Sequence, residues 1–306
     1  MKIALISDAI YPFSLGGSEI RNHEIAKRLV KKGHEVYIIG AKLWSGNPSM
    51  VMDGVKIEGI HKQELYSKNG KRNPVDSLIL AIKLFNYLLK EKFDIIDTAS
   101  FVYFNCYITK IISLLKGNGL VFTWHQYFGD YLRGYFGKLK GSIAMLLERL
   151  SLSLVKNNIV VSNHVKNQLI KRGLKEKNVN VIYNGVDLKM IRSIKQKRKI
   201  YDLIFVGRLN YQKNLPLLIK SIQRGRPKPV PFSPSVPGVV SPNSSVNNRL
   251  FLSSDKPIPL SSTNISTESP FFLQEIAMCP PCFVNLTAFD DKFLKIILKI
   301  FGSAKT

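Results

Sequence analysis

Few residues of this chain have both the type and the position to do chemistry. Gly16 and Gly17 stand side by side before a predicted helix, after an apolar run that reads as a strand. His125 follows another apolar run, in LVFTWHQ. Arg208 and Lys213, five residues apart, flank a turn between a third such run and a helix. Glycines at a helix N-terminus suit a phosphate: backbone N–H groups are free there, the dipole is positive, and glycine lets a ligand approach the backbone closely. A histidine beyond a strand end can donate to a sugar hydroxyl or a phosphate, and its plainer reading is a ring satisfied by local backbone. Two fixed cations beside a helix N-terminus can stabilise a departing anion without a metal.

The elements that must place these groups begin in the first forty residues. Lys2–Ser7 reads as a buried strand, Glu19–Lys32 as a helix and Glu35–Ile39 as a second strand. Ser18 takes the N-cap position and Gly33 the position just past the helix end. This βαβ unit predicts a parallel sheet. Its glycine pair lies at the carboxyl end of the first strand, the edge where open α/β sheets bind ligands. The loop 9–17 is long for a βα connection, which favours a functional loop over a plain turn. The G-x-G-x-x-G fingerprint is absent, so nicotinamide or flavin chemistry is not supported.

Residues 41–75 read as polar and irregular, with a short strand at 55–59 and a basic loop at 68–74. A helix at 75–90, a strand at 95–98 and a helix at 104–116 follow, then a strand at 120–123 that leaves His125 just beyond its carboxyl end. Residues 127–156 are aromatic, basic and apolar together, with a helix over 142–155. That helix is either a core element or a basic amphipathic one lying on a membrane, and Arg133, Lys138 and Lys140 support the second. A strand at 159–162, a helix and a strand at 179–182 lead to Asn184-Gly185-Val186-Asp187, whose Asn-Gly suits a tight turn with positive φ. After a basic linker at 188–199, a strand at 201–206 ends in Gly207-Arg208-Leu209, and Lys213-Asn214 precedes a helix at 215–223 with Pro216 in its first turn.

GGSEI and KKGHEV around the first helix, T-x-H at 123–125, N-G-V-D at 184–187 and G-R-L…K-N at 207–214, in this order, resemble a family 4 glycosyltransferase. Such enzymes are retaining and of GT-B architecture, two Rossmann-like domains with the active site between them. The resemblance implies an α/β fold: a Rossmann-like doubly wound parallel sheet as the N-terminal, acceptor-side domain over 1–187, and the start of the donor-side domain at 188–223. It implies that Gly16, Gly17, Arg208 and Lys213 bind the donor diphosphate, that the catalytic His125 contacts the transferred sugar, and that Asn184 and Gly185 mark the interdomain hinge. The partners implied are a nucleotide-sugar donor, which is a substrate and not a cofactor, and a glycan or lipid-linked acceptor. No cofactor and no metal are expected, and the chain has no D-x-D motif.

The resemblance ends near residue 223. Eleven of the fifteen prolines lie between Arg224 and Pro281, so 224–290 reads as a disordered Pro/Ser-rich tail, followed by a short basic amphipathic helix at 291–302. Glu268 and Glu275 have the spacing of the family's paired glutamates but not their glycine-containing context, and the role is not carried to them. The expectation is a truncated second domain and impaired transfer. The rival expectation is a non-catalytic acceptor- or membrane-binding module.

A chain of 306 residues is long enough for two domains. Its net charge of +24 fits an anionic membrane surface, or a lysine-rich background that alters the surface without altering function. No nucleic-acid motif accompanies the charge, and nucleic acid is not an expected partner. Cys106 lies in an apolar segment; Cys279-Pro-Pro-Cys282 lacks the two further ligands a zinc site needs. The N-terminus has no signal-peptide pattern, and no uncharged apolar run reaches about 18 residues. A cytoplasmic location is expected, at the inner membrane face if the chain docks there.

Overall fold

A computed structural model describes residues 1–65, 72–101, 103–194, 203–206, 214–224, 249–252 and 284–285. The chain divides into two compact units, Met1–Asp187 with Cys282–Thr306, and Leu188–Pro281.

The first unit runs β1 (Lys2–Ile6), α1 (Gly17–Lys31), β2 (Glu35–Lys42), β3 (Ser49–Met52), β4 (Val55–Lys62), α2 (Pro74–Lys90), β5 (Ile95–Ala99), α3 (Tyr103–Lys116), β6 (Gly119–Trp124), α4 (Tyr131–Phe136), α5 (Lys138–Ser151), β7 (Asn158–Val160), α6 (Asn163–Ile170), β8 (Val179–Val181) and β9 (Gly185–Val186). Eight strands form one sheet in the order β3-β4-β2-β1-β5-β6-β7-β8. All pairings in it are parallel except β3 with β4. The second unit holds α7 (Leu188–Ser193), β10 (Leu203–Val206), α8 (Leu215–Arg224) and β11 (Arg249–Leu252), with β10 and β11 antiparallel. Returning to the first unit, β12 (Val284–Asn285) pairs parallel with β9.

Both faces of the large sheet are covered, so its central strands read as continuous apolar runs. In β1, Ile3 and Leu5 pack with Ile25, Ala26 and Leu29 of α1. Ala4 and Ile6 point the other way and join a core with Leu84 and Leu88 of α2 and Cys106 and Ile112 of α3. Asn73 caps α2 by accepting the Val75 N–H at 3.0 Å, and Pro74 takes the first position, where no N–H is needed. Gly33, with φ +84, closes α1. At Gly40 a Cβ would lie 1.9 Å from the Ser7 carbonyl oxygen, so β2 passes the end of β1 only without a side chain.

Residues 41–75 hold more structure than expected: β2 runs on through Lys42, the short strand expected at 55–59 is β4, and β3 pairs with it as a hairpin. The helix expected at 142–155 runs from Lys138 to Ser151. The Asn184-Gly185 turn is also corrected. Neither residue is among those with positive φ; Gly185 opens β9, where strand pairing draws the backbone out.

Candidate functional site

The chain leaves β1 for β2 on one side and returns to the other side of β1 at β5. Such a reversal opens a crevice at the carboxyl ends of the strands. The adjacent strands β1, β5 and β6 bring Asp8, Asp97, Thr123 and His125 to that edge.

Asp97, 5% exposed, accepts the Thr123 hydroxyl on both carboxylate oxygens, at 2.7 and 3.0 Å. Burial lifts its pKa to about 6, against the opposing pull of the Arg21 charge and the Thr123 bond. Arg21, on the second turn of α1, is buried too. Burial lowers its pKa to about 10, opposed by the Asp97 charge, so it stays a cation at neutral pH. The same guanidinium acts on His125. Burial first and Arg21 second hold that imidazole down to about 3, and the ring is neutral. Its Nε2 is buried and has no hydrogen-bond partner among the described residues. No local backbone group bonds that nitrogen. An unfilled buried nitrogen is costly, and a ligand hydroxyl would fill it.

The β1–α1 loop differs from expectation. Helix α1 starts at Gly17 with Gly16 as N-cap, and no side chain caps it, so Ser18 lies inside the helix. The Ser18 and Ser14 hydroxyls both donate to the Glu19 carboxylate, at 2.6 and 3.0 Å. Glu19 folds back and takes the hydroxyl that was expected to cap. A Cβ on Gly16 would lie 2.2 Å from Glu19 Oε2, whereas one on Gly17 would meet nothing within 4 Å. Of the pair, Gly17 leaves the room. Nearby, the buried Asp8 carboxylate pairs with Arg72. Burial raises the Asp8 pKa, Arg72 opposes that rise and Glu19 adds to it.

The model of Glycosyltransferase Family 4 matches residues 15–190, more than half of the chain. The chain belongs to glycosyltransferase family 4. An "Uncharacterized 42.6 kDa protein in cps region" of Klebsiella pneumoniae is 27% identical over 254 residues, 74% of this chain and 66% of that protein. Sucrose-phosphate synthase from Thermosynechococcus elongatus shares the fold, with a TM-score of 0.54 at 16% identity over 73% of this chain and 59% of that one. Anabaena HepE in complex with UDP gives a TM-score of 0.49 at 17% identity, over 76% of this chain and 59% of its own. The family 4 chain thus spans slightly less than two thirds of these proteins' lengths.

In this glycosyltransferase-family chain, the loop after His125 is gripped from α5. Glu148, fully buried, accepts the Tyr103 hydroxyl at 2.5 Å and the Phe128 and Gly129 N–H groups at 2.7 Å each. Burial raises its pKa and these donors oppose the rise. Rings continue from that loop: Phe101 to Phe128 at 4.9 Å, Phe128 to Tyr131 at 5.9 Å and Tyr131 to Tyr135 at 5.8 Å between centroids. The Tyr135 hydroxyl accepts the Arg72 N–H at 2.9 Å, and the Arg72 guanidinium lies 5.5 Å from the Phe101 ring centre. Arg72 therefore ties the end of β1 to this aromatic wall.

Of the residues expected from sequence, Gly16, Gly17 and His125 come to one sheet edge, and Asn184 is exposed beside β9. Arg208 and Lys213 lie outside the described residues, as do Cys279, Cys282 and 291–302. Arg21, Asp97, Arg72 and Glu148 were not singled out from sequence. Asp97 had a signal, a carboxylate within an otherwise apolar strand; so had Glu148, on the inward side of α5. Among the described residues, no group of three or more His, Cys, Asp or Glu could hold a metal ion, and no helix is long and apolar enough to cross a membrane.

Proposed function

We propose that this family 4 chain transfers a sugar from a nucleotide-sugar donor to a glycan or lipid-linked acceptor, with retention and without a metal. The observation that carries the reading is the unfilled Nε2 of a neutral His125 at the switch point. A neutral ring can bond a hydroxyl of the transferred sugar without adding charge beside Arg21. As the bond from the anomeric carbon to the diphosphate breaks, charge builds on the departing nucleoside diphosphate. The open backbone at Gly17 suits one of its phosphates, and the family pattern assigns the diphosphate to Arg208 and Lys213 as well. The acceptor oxygen then bonds to the anomeric carbon on the face the diphosphate left, and the acceptor's hydroxyl proton passes to the departing diphosphate oxygen.

The test is release of nucleoside diphosphate from a panel of nucleotide-sugars, with the product anomer read by NMR. Expected are turnover unchanged by EDTA, an anomer matching the donor, and a loss of about a hundredfold or more in His125→Ala. Turnover equal in His125→Ala and the unaltered chain would overturn the role of His125. A second reading, a non-catalytic binding module, is favoured by the exposed Leu139 and Ile143 of α5 and expects binding without release.

A further inference from the structure

Helix α5 has two opposite sides. Toward the body it sets Gly141, Glu148 and Ser151, all buried. Away from the body it sets Leu139, Ile143, Leu146 and Leu150, a single stripe at helical spacing. Lys138 and Arg149 lie on one flank of the stripe and Lys140 on the other. Helix α3 packs beside it, with the Tyr107 hydroxyl donating to the Leu147 carbonyl at 2.8 Å. It too buries one side, including Cys106, Thr109 and Ile112, and turns Ile111, Leu114 and Leu115 outward. These seven aliphatic side chains are 45 to 77% exposed. Helix α3 has no acidic residue, and the one acid of α5 is the buried Glu148.

Two packed helices of a monomer rarely turn this many aliphatic side chains to water. Bases flank it, and neither helix offers an exposed carboxylate. We propose that the α3–α5 face docks on an anionic membrane surface. The aliphatic stripes enter the boundary between headgroups and acyl chains, and Lys138, Lys140 and Arg149 meet lipid phosphates. A second copy is the poorer occupant, because it would bring the same bases and a net charge of +24 against its twin. The surface reaches beyond the 127–156 segment to which sequence confined it. The proposal goes beyond sugar transfer and does not depend on it.

The purified full chain is sedimented with vesicles of phosphatidylcholine alone and of phosphatidylcholine mixed equally with phosphatidylglycerol. Pelleting with the anionic vesicles only is expected, weakened by salt. The pair Ile143→Glu, Leu146→Glu should abolish it. The pair Lys138→Ala, Lys140→Ala, which keeps the aliphatic stripe and touches no core, should weaken partitioning roughly thirtyfold. Val51→Glu, at an exposed position on β3, should change nothing. No pelleting, or pelleting untouched by both double variants, overturns the proposal; the latter would place binding in another segment such as 291–302. A solution dimer split by Ile143→Glu, Leu146→Glu, with no vesicle binding, overturns it in favour of a copy interface. None of these readouts measures sugar transfer, so that reading stands or falls separately.

Discussion

The Tyr103 hydroxyl of α3 donates to the Glu148 carboxylate of α5 at 2.5 Å, where Glu148 has no solvent exposure at all. With the Phe128 and Gly129 N–H groups, this bond compensates a buried carboxylate and fixes the loop that follows His125. Glu148→Ala should lower unfolding free energy by about 3 kcal/mol, because three buried donors lose their acceptor. Tyr103→Phe, which removes one donor of the three, should cost about 1 kcal/mol. Urea unfolding measures both; an unchanged midpoint in Glu148→Ala would refute the account.

His125 should make the fold acid-labile. Its unfolded imidazole titrates near 6.5, and the folded one only at about 3. Between those values the unfolded chain binds a proton that the native chain does not. Stability therefore rises with pH through this window and is lost as pH falls from about 6.5 toward 3. His125→Asn should remove one proton from the slope, about 1.4 kcal/mol per pH unit. Denaturant midpoints from pH 4 to 6 supply the comparison.

Asp97 works in the opposite sense. The ordinary value for its carboxyl is 3.8 and its folded value about 6. Between them the native state holds the extra proton, so this group's contribution falls as pH rises from about 4 to 6. Asp97→Asn should steepen the rise in stability with pH that His125→Asn flattens. Variants that tilt the curve the same way would contradict the opposite directions of these two shifts.

The two glycines should separate structure from binding. Gly17→Ala meets no atom within 4 Å, so the unfolding midpoint should hold. The KM for donor should rise about tenfold, equivalent to about 1.4 kcal/mol of lost contact. Gly16→Ala drives the Glu19 carboxylate from its Ser14 and Ser18 hydroxyls and should cost about 1 kcal/mol of stability. Equal effects of both changes on KM and midpoint would sink this division.

Arg72→Ala should strand the buried Asp8 and cost about 3 kcal/mol. Adding Asp8→Asn should recover part of that loss, since the amide carries no charge to bury. A double variant no more stable than the single one would count against the ion pair.

The βαβ opening and the later helices were legible because short continuous apolar runs alternate there with a 3.6-residue period. The hairpin was not read, although Asp53-Gly54 signals it. Both residues have positive φ, as a two-residue turn between twisted strands requires. Edge strand β3 is half exposed, so its apolar pattern is faint. In the site, Gly16, Gly17 and His125 announce themselves by local context. Arg72 and Asp8 are 64 residues apart, and nothing local says which distant charge either one meets. Glu148 is likewise recognisable only once the loop it holds is in place.

The strand order also sets an order of construction. β1 and β2 emerge first and pair; β3 and β4 arrive as a hairpin and extend the free side of β2. β5 then takes the vacant side of β1, and β6, β7 and β8 each join the strand made just before. No strand has to be threaded between two already joined. A ribosome feeding out this polypeptide can therefore lay the sheet down from its centre, each newly emerged strand finding its docking edge already built.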